Sequence, residues 1–186
     1  AIEYLHSYAT PPVIHCNIKS SSILLDSSWS PHLSGFGIAV SCDEAECVDI
    51  PVRGTVGYLD PELFHTGILK PASDIYNFGV LMLEVLSGRR AIWKREHGDG
   101  DGDSDSDSPM VSLVSHALPL IDAGQVLHLL DRRPAEEPTP RQLEAADLVA
   151  RTAAHCLQEN GDDRPAMSDV VTRLQAALEL VRCDDE

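Results

Sequence analysis

Residues 73–88 constrain this chain more than any other stretch. Ile75, Phe78, Val80, Leu81, Met82, Leu83, Val85 and Leu86 leave almost no polar side before Gly88. A helix that is apolar nearly all round is stable only with other elements packed against every face. The segment therefore predicts a helix at the centre of a core, with Ser73 and Asp74 as its opening caps and Gly88 as its stop. Other helical patterns run over residues 1–8, 143–157 and 167–181, and a further one over 111–121 is expected to break at Pro119. On the first, Ile2, Leu5 and Tyr8 mark one face; on the last, Val170, Val171, Leu174, Leu178 and Val181 do so, while Arg173 and Glu179 face out. Short apolar pieces at 13–14, 23–25 and 33–40 read as small strands, and 126–130 as a single apolar turn. Residues 41–64, carrying Pro51, Gly54, Gly57 and Pro61, read as one long loop, the kind that is usually functional or disordered. The expected class is mainly α, α+β overall, with no internal repeat.

Charge narrows the functions open to such a fold. Of 186 residues, 14 are basic and 30 acidic, a net charge of -16 that repels nucleic-acid backbones and anionic lipid heads. No apolar run reaches the roughly 18 to 20 residues of a membrane span. Cysteines at 16, 42, 47, 156 and 183 show neither a C-x-x-C pair nor zinc-ligand spacing, which suits free thiols in a reducing compartment. Residues 98–108 alternate Asp with Gly and Ser. As a calcium loop starting at Asp99 or Asp101 they would put Ser104 or Ser106 at the sixth position and Met110 or Ser112 at the twelfth, where Gly and Glu are required. The stretch reads instead as a solvated acidic linker, with Ser104 and Ser106 as candidate targets of an acid-directed kinase. The chain opens at Ala1 inside helical pattern, which suggests the C-terminal part of a longer protein.

The segment His15-Cys16-Asn17-Ile18-Lys19-Ser20-Ser21-Ser22 resembles the catalytic loop H-R-D-x-K-x-x-N of protein kinases. Gly35-Phe36-Gly37, nine residues beyond Asp26, stands where a kinase has Asp-Phe-Gly, and Asp60-Pro61-Glu62 where it has Ala-Pro-Glu. Arg53-Gly54-Thr55-Val56-Gly57-Tyr58 resembles the substrate-accepting loop, residues 74–79 the buried central helix, and Arg164-Pro165 the arginine that pairs with Glu62. Six such matches in register make the chain similar to the C-terminal lobe of a plant receptor-like serine/threonine kinase, with the stretches 89–117 and 153–167 most like the Crinkly-related branch. The resemblance implies lobe segments at 1–97 and 110–182, an acidic insert at 98–109 and a tail at 183–186. It also implies ATP and magnesium as the family's cofactors, and the cytoplasmic side of a membrane as location.

The departures fall on the chemistry. Asn17 stands at the base position, and an amide cannot take a proton near neutral pH; loss of a general base alone typically costs about 10² to 10⁴ in rate. Gly35 and Ser22 stand at the two magnesium positions, and neither offers a carboxylate or amide oxygen. Lys19 remains. Cys16 replaces an arginine that commonly receives an activation-loop phosphate. The glycine-rich loop and strand lysine would lie upstream of Ala1. By the resemblance, His15, Phe36 and Asp74 form a packing column, Asp74 holds the catalytic-loop backbone, and Glu62 pairs with Arg164 in the interior. Ser41 and Thr55 are candidate phosphate acceptors, Thr55 more as a packing residue. These features favour a catalytically inactive scaffold or regulatory lobe that takes no cofactor by itself. Its partners would be proteins, another receptor-like kinase among them, and not nucleic acid or the membrane. The alternatives are a serine/threonine kinase completed by an upstream lobe, and a non-functional fragment.

Overall fold

The computed structural model describes residues 1–41, 51–94, 109–134 and 136–182. At its centre is helix α3 (Pro71–Ser87), whose Val80 and Leu83 are wholly enclosed. The helix begins two residues before the expected caps. Lys70 is the N-cap and Pro71 takes the first helical position, where its missing N–H is no loss. Ser73 and Asp74 lie inside the first turn and spend their side chains on tertiary contacts, so they do not cap it. Gly88 ends the helix at φ 63, the left-handed conformation that favours glycine.

Against α3 pack α4 (Leu113–Asp122) and α5 (Pro140–Cys156), and α6 (Met167–Arg182) packs on α5. Thr139 and Gln142 form a reciprocal capping box that starts α5, with Pro140 as its first helical residue. The close approach of α3 to α5 depends on Gly79: a Cβ there would lie 2.9 Å from both Cys156 Cβ and Leu157 Cγ. Pro119 does not break α4, contrary to the sequence expectation. Leu113, Ala117 and Ile121 form a fully buried stripe along it, and that packing outweighs the one lost backbone bond. The apolar turn expected at 126–130 is a 3₁₀ turn, Val126–His128. Short helix α1 (Ile2–Ser7) buries Ile2, but Tyr8 falls past its end, is exposed and stacks on Tyr4.

Among the described residues the strands form three two-stranded antiparallel ribbons. β1 (Val13–Ile14) pairs with β4 (Val40–Ser41), and β2 (Ile23–Leu25) with β3 (Pro31–Leu33). The apolar run 33–40 is thus divided between β3, a 3₁₀ turn at Phe36–Ile38 and β4. In the third ribbon β5 (Ile92–Lys94) faces β6 (Met110–Ser112), with Lys94 opposite Met110. The acidic stretch therefore lies between two strands that pair with each other. Trp93 anchors that ribbon, with the Arg89 guanidinium 5.3 Å over its ring and the His116 ring edge-on at 5.7 Å. Ser104, Ser106, the whole run 98–108 and the tail 183–186 lie outside the described residues. The long loop ends earlier than expected, at α2 (Pro61–Thr66). Among the described residues no helix is long and apolar enough to cross a membrane.

Candidate functional site

The site is built on one enclosed carboxylate. Asp74 projects from the first turn of α3, wholly buried, and accepts the backbone N–H groups of His15 at 2.7 Å and Cys16 at 2.8 Å. His6 Nε2 from α1 lies 2.9 Å from the same carboxylate. These charge-assisted bonds fix the loop after β1 and hold Cys16 at φ 66, as the expected role of Asp74 requires. His15 is buried behind it. Its Nε2 donates to the Ser34 carbonyl at 2.9 Å, which leaves Nδ1 to accept the Asn17 N–H at 3.3 Å. Phe36 meets the His15 ring edge-on, centroids 4.7 Å apart, so the expected column of Asp74, His15 and Phe36 is present.

From this base the loop brings Asn17, Lys19 and Thr55 together. Lys19 Nζ donates to Thr55 Oγ1 at 2.8 Å, and Thr55 Oγ1 donates to Asn17 Oδ1 at 2.8 Å. The Thr55 hydroxyl is thus engaged on both sides, as a packing residue should be. Ser41 is exposed at the edge of β4. Tyr58 ties the same loop to α3: its hydroxyl donates to Glu84, its carbonyl accepts from Asn77 Nδ2, and Ser20 N donates to its oxygen at 3.2 Å. Burial and the Glu84 carboxylate push the Tyr58 hydroxyl up to about 12.

The two magnesium positions are brought side by side, and the cation does not fit them. Ser22 is buried, and its hydroxyl is consumed by the 3₁₀ turn Ser20–Ser22. It accepts the Lys19 N–H at 2.9 Å and points back at the Lys19 carbonyl at 2.8 Å. Gly35, at φ 85, has no donor atom, and a Cβ there would sit 3.3 Å from Ser22 Cβ. Among the described residues no three His, Cys, Asp or Glu side chains converge as metal ligands do. A small hard cation needs oxygen ligands, carboxylates foremost, and this pair offers no carboxylate, only a neutral hydroxyl already engaged in its own turn.

Cys16 opens instead onto a cavity of about 210 Å³, lined largely by apolar groups such as Val40, Leu63 and Leu69. Burial, reinforced by the charge of Asp74, pushes its thiol up to about 12, so it is an uncharged wall at neutral pH. It cannot replace an arginine as a phosphate receiver.

The buried ion pair differs from expectation in its acidic partner. Arg164 Nη2 bonds Asp60 Oδ1 at 2.7 Å, and both side chains are nearly wholly enclosed. The remaining Arg164 donors satisfy the carbonyls of Gln158, Ala72 and Glu159, and its guanidinium lies over the Tyr76 ring. Asp60 also accepts from Ser73 Oγ at 2.7 Å and caps α2 through Glu62 N. Glu62, one turn-step further out, binds Lys70 Nζ at 3.0 Å and accepts the Gly161 N–H at 2.8 Å. The N-cap residue points inward and the next acidic residue outward, which gives the arginine to Asp60. The pattern Asp-Pro-Glu at a helix start was the available signal. His6 and Glu84 carried none beyond their residue type.

Comparison with known proteins agrees with this geometry. The protein kinase domain family matches residues 1–174. The chain is 42% identical, over 99% of its length, to the putative serine/threonine-protein kinase-like protein CCR3 of Arabidopsis thaliana, and covers 23% of that protein. It is 39% identical over 95% of its length to the serine/threonine-protein kinase-like protein CCR4, again covering 23%. To wall-associated receptor kinase 5 it is 33% identical over 94%, covering 22%. The chain thus spans less than a quarter of the length of these curated relatives. With six motifs in register, the Asp74-anchored loop and the family match over nearly the whole chain, this chain belongs to the protein kinase domain family.

Proposed function

We propose that this chain is a non-catalytic kinase-fold lobe that acts as a protein-binding or regulatory module in receptor-like kinase signalling. One observation carries the reading. The backbone of the catalytic loop is held by Asp74, while the three positions where phosphoryl transfer needs a base and two metal ligands hold an amide, a self-bonded hydroxyl and a bare glycine. Selective loss of chemistry on an intact framework is what a binding role permits. Membership of a fold family does not by itself supply activity. On this reading its partners are proteins, a second receptor-like kinase among them, and it works on the cytoplasmic side of a membrane; similarity to proteins named as receptor kinases supports that placement. The retained Lys19–Thr55–Asn17 chain is the one observation on the side of a working serine/threonine kinase, with ATP and magnesium as cofactors.

The test is phosphotransfer from labelled ATP by the full-length protein, with magnesium or manganese, to itself and to a generic basic protein. Incorporation no greater than that of a Lys19→Ala control is expected. Sustained incorporation that disappears with Lys19→Ala would sink the proposal.

A further inference from the structure

The cavity beside Cys16 has fixed walls. Leu63 of α2 and Leu69 are buried in a small cluster with Ile14, and Val40 is held by the pairing of β4 with β1. Ile38 and Ala39, at the end of the 3₁₀ turn, line another side. Cys16 completes the wall where the kinase resemblance implies an arginine, so the space a longer side chain would enter stays open. An apolar cavity of about 150 Å³ already holds a benzene ring. At about 210 Å³ this one admits a ring with a short arm. Among the described residues that line it, Arg53 alone is charged. Arg53 is exposed, and its guanidinium makes no hydrogen bond or ion pair with any described residue. The acids on the elements around the cavity are already engaged. Asp74 is taken by the His15 and Cys16 N–H groups and His6, Asp60 by Arg164 and Ser73, and Glu62 by Lys70 and the Gly161 N–H. The planar fork of an unpaired guanidinium matches a carboxylate from outside the chain.

We propose that this cavity takes a small organic acid, its ring or short alkyl body against Val40, Leu63 and Leu69 and its carboxylate on Arg53. The apolar walls supply most of the contact, and the single cation fixes the orientation and charge of the occupant. A neutral ligand would leave Arg53 without a partner, and an ammonium would be repelled by it. The proposal goes beyond the non-catalytic reading and does not depend on it, because none of Lys19, Thr55 and Asn17 lines the cavity.

The experiment titrates the chain with hydrocinnamate, a phenyl ring on a short carboxylate arm, and with the alcohol and the amine of the same carbon skeleton. Ionic strength is fixed, the pH is neutral, and backbone amide shifts are read. Saturable binding of the acid is expected, with shifts centred on Ile38, Val40, Arg53 and Leu63. It should be about tenfold tighter than binding of the alcohol, and the amine should not saturate. Arg53→Gln changes an exposed, unpaired side chain and should bring the acid down to the level of the alcohol. Cys16→Leu fills the cavity with uncharged bulk and should abolish binding of both. No saturable binding of the acid, equal affinity for acid and alcohol in the native chain, or an Arg53→Gln variant that keeps the native preference overturns the proposal. Full affinity in a folded Cys16→Leu variant does so too. If Cys16→Leu does not fold, the Arg53→Gln comparison decides alone.

Discussion

At the scale of single residues, the division of labour between Asp60 and Glu62 makes a sharp prediction. Arg164 is enclosed with Asp60 and makes no hydrogen bond or ion pair with Glu62. Asp60→Asn leaves that guanidinium buried and uncompensated, at a cost of about 3–5 kcal/mol. Glu62→Gln loses a partly exposed pair with Lys70, at about 1 kcal/mol or less. Denaturant unfolding of the two variants separates them, and equal losses would contradict the assignment. The sequence named the arginine correctly and the wrong acid, because motif position does not say which of two nearby carboxylates points inward. Cys16 and Cys156 supply a second prediction. Burial raises both thiols from an ordinary 9.0 to about 12. Between those values the folded chain holds protons that the unfolded chain has released, so the stability they contribute is full below pH 9 and is lost as pH climbs toward 12. Cys156→Ala should flatten the alkaline limb of stability against pH, and an unchanged limb would count against this origin.

At the scale of elements, α5, α6 and the buried character of α3 were legible because apolar periodicity and capping agreed with each other. Two boundaries were not. Ser73 and Asp74 have capping side chains, but tertiary partners at Asp60, His15 and Cys16 claim them, and Pro71 was the better start signal. Pro119 was read as a break because sequence alone does not show that Leu113, Ala117 and Ile121 are gripped on one face. The contact of α3 with α5 through Gly79 is testable. Gly79→Ala would gain helix propensity of about 1 kcal/mol in isolation. Here the added methyl meets Cys156 and Leu157 at 2.9 Å, so the variant should unfold at a lower temperature than the native chain. A higher midpoint would show that α5 gives way without cost.

On the scale of the whole molecule, the proposed function separates the framework of a kinase lobe from the chemistry of its cleft. The framework residues were readable as motifs, and the structure supplies the contacts that make them work: Asp74 under the loop, His15 against Phe36, Tyr58 tied to Glu84. The substitutions were equally readable, but their meaning was not. That Ser22 closes on its own turn, and that Asn17 gives its acceptor to Thr55, are matters of hydrogen-bond direction that no motif records. Leu24 and Leu25, each 55% exposed, and Trp29 at 79% present apolar surface on the β2–β3 ribbon. The central claim is that absence of base and metal ligands sets this protein's activity. The most direct measurement is the phosphotransfer rate of the full-length protein beside its Asn17→Asp, Gly35→Asp double variant. A native rate at background, raised by repair by about 10² or more, is the predicted result. A native protein that already transfers phosphate, with a rate that repair leaves unchanged, would contradict it.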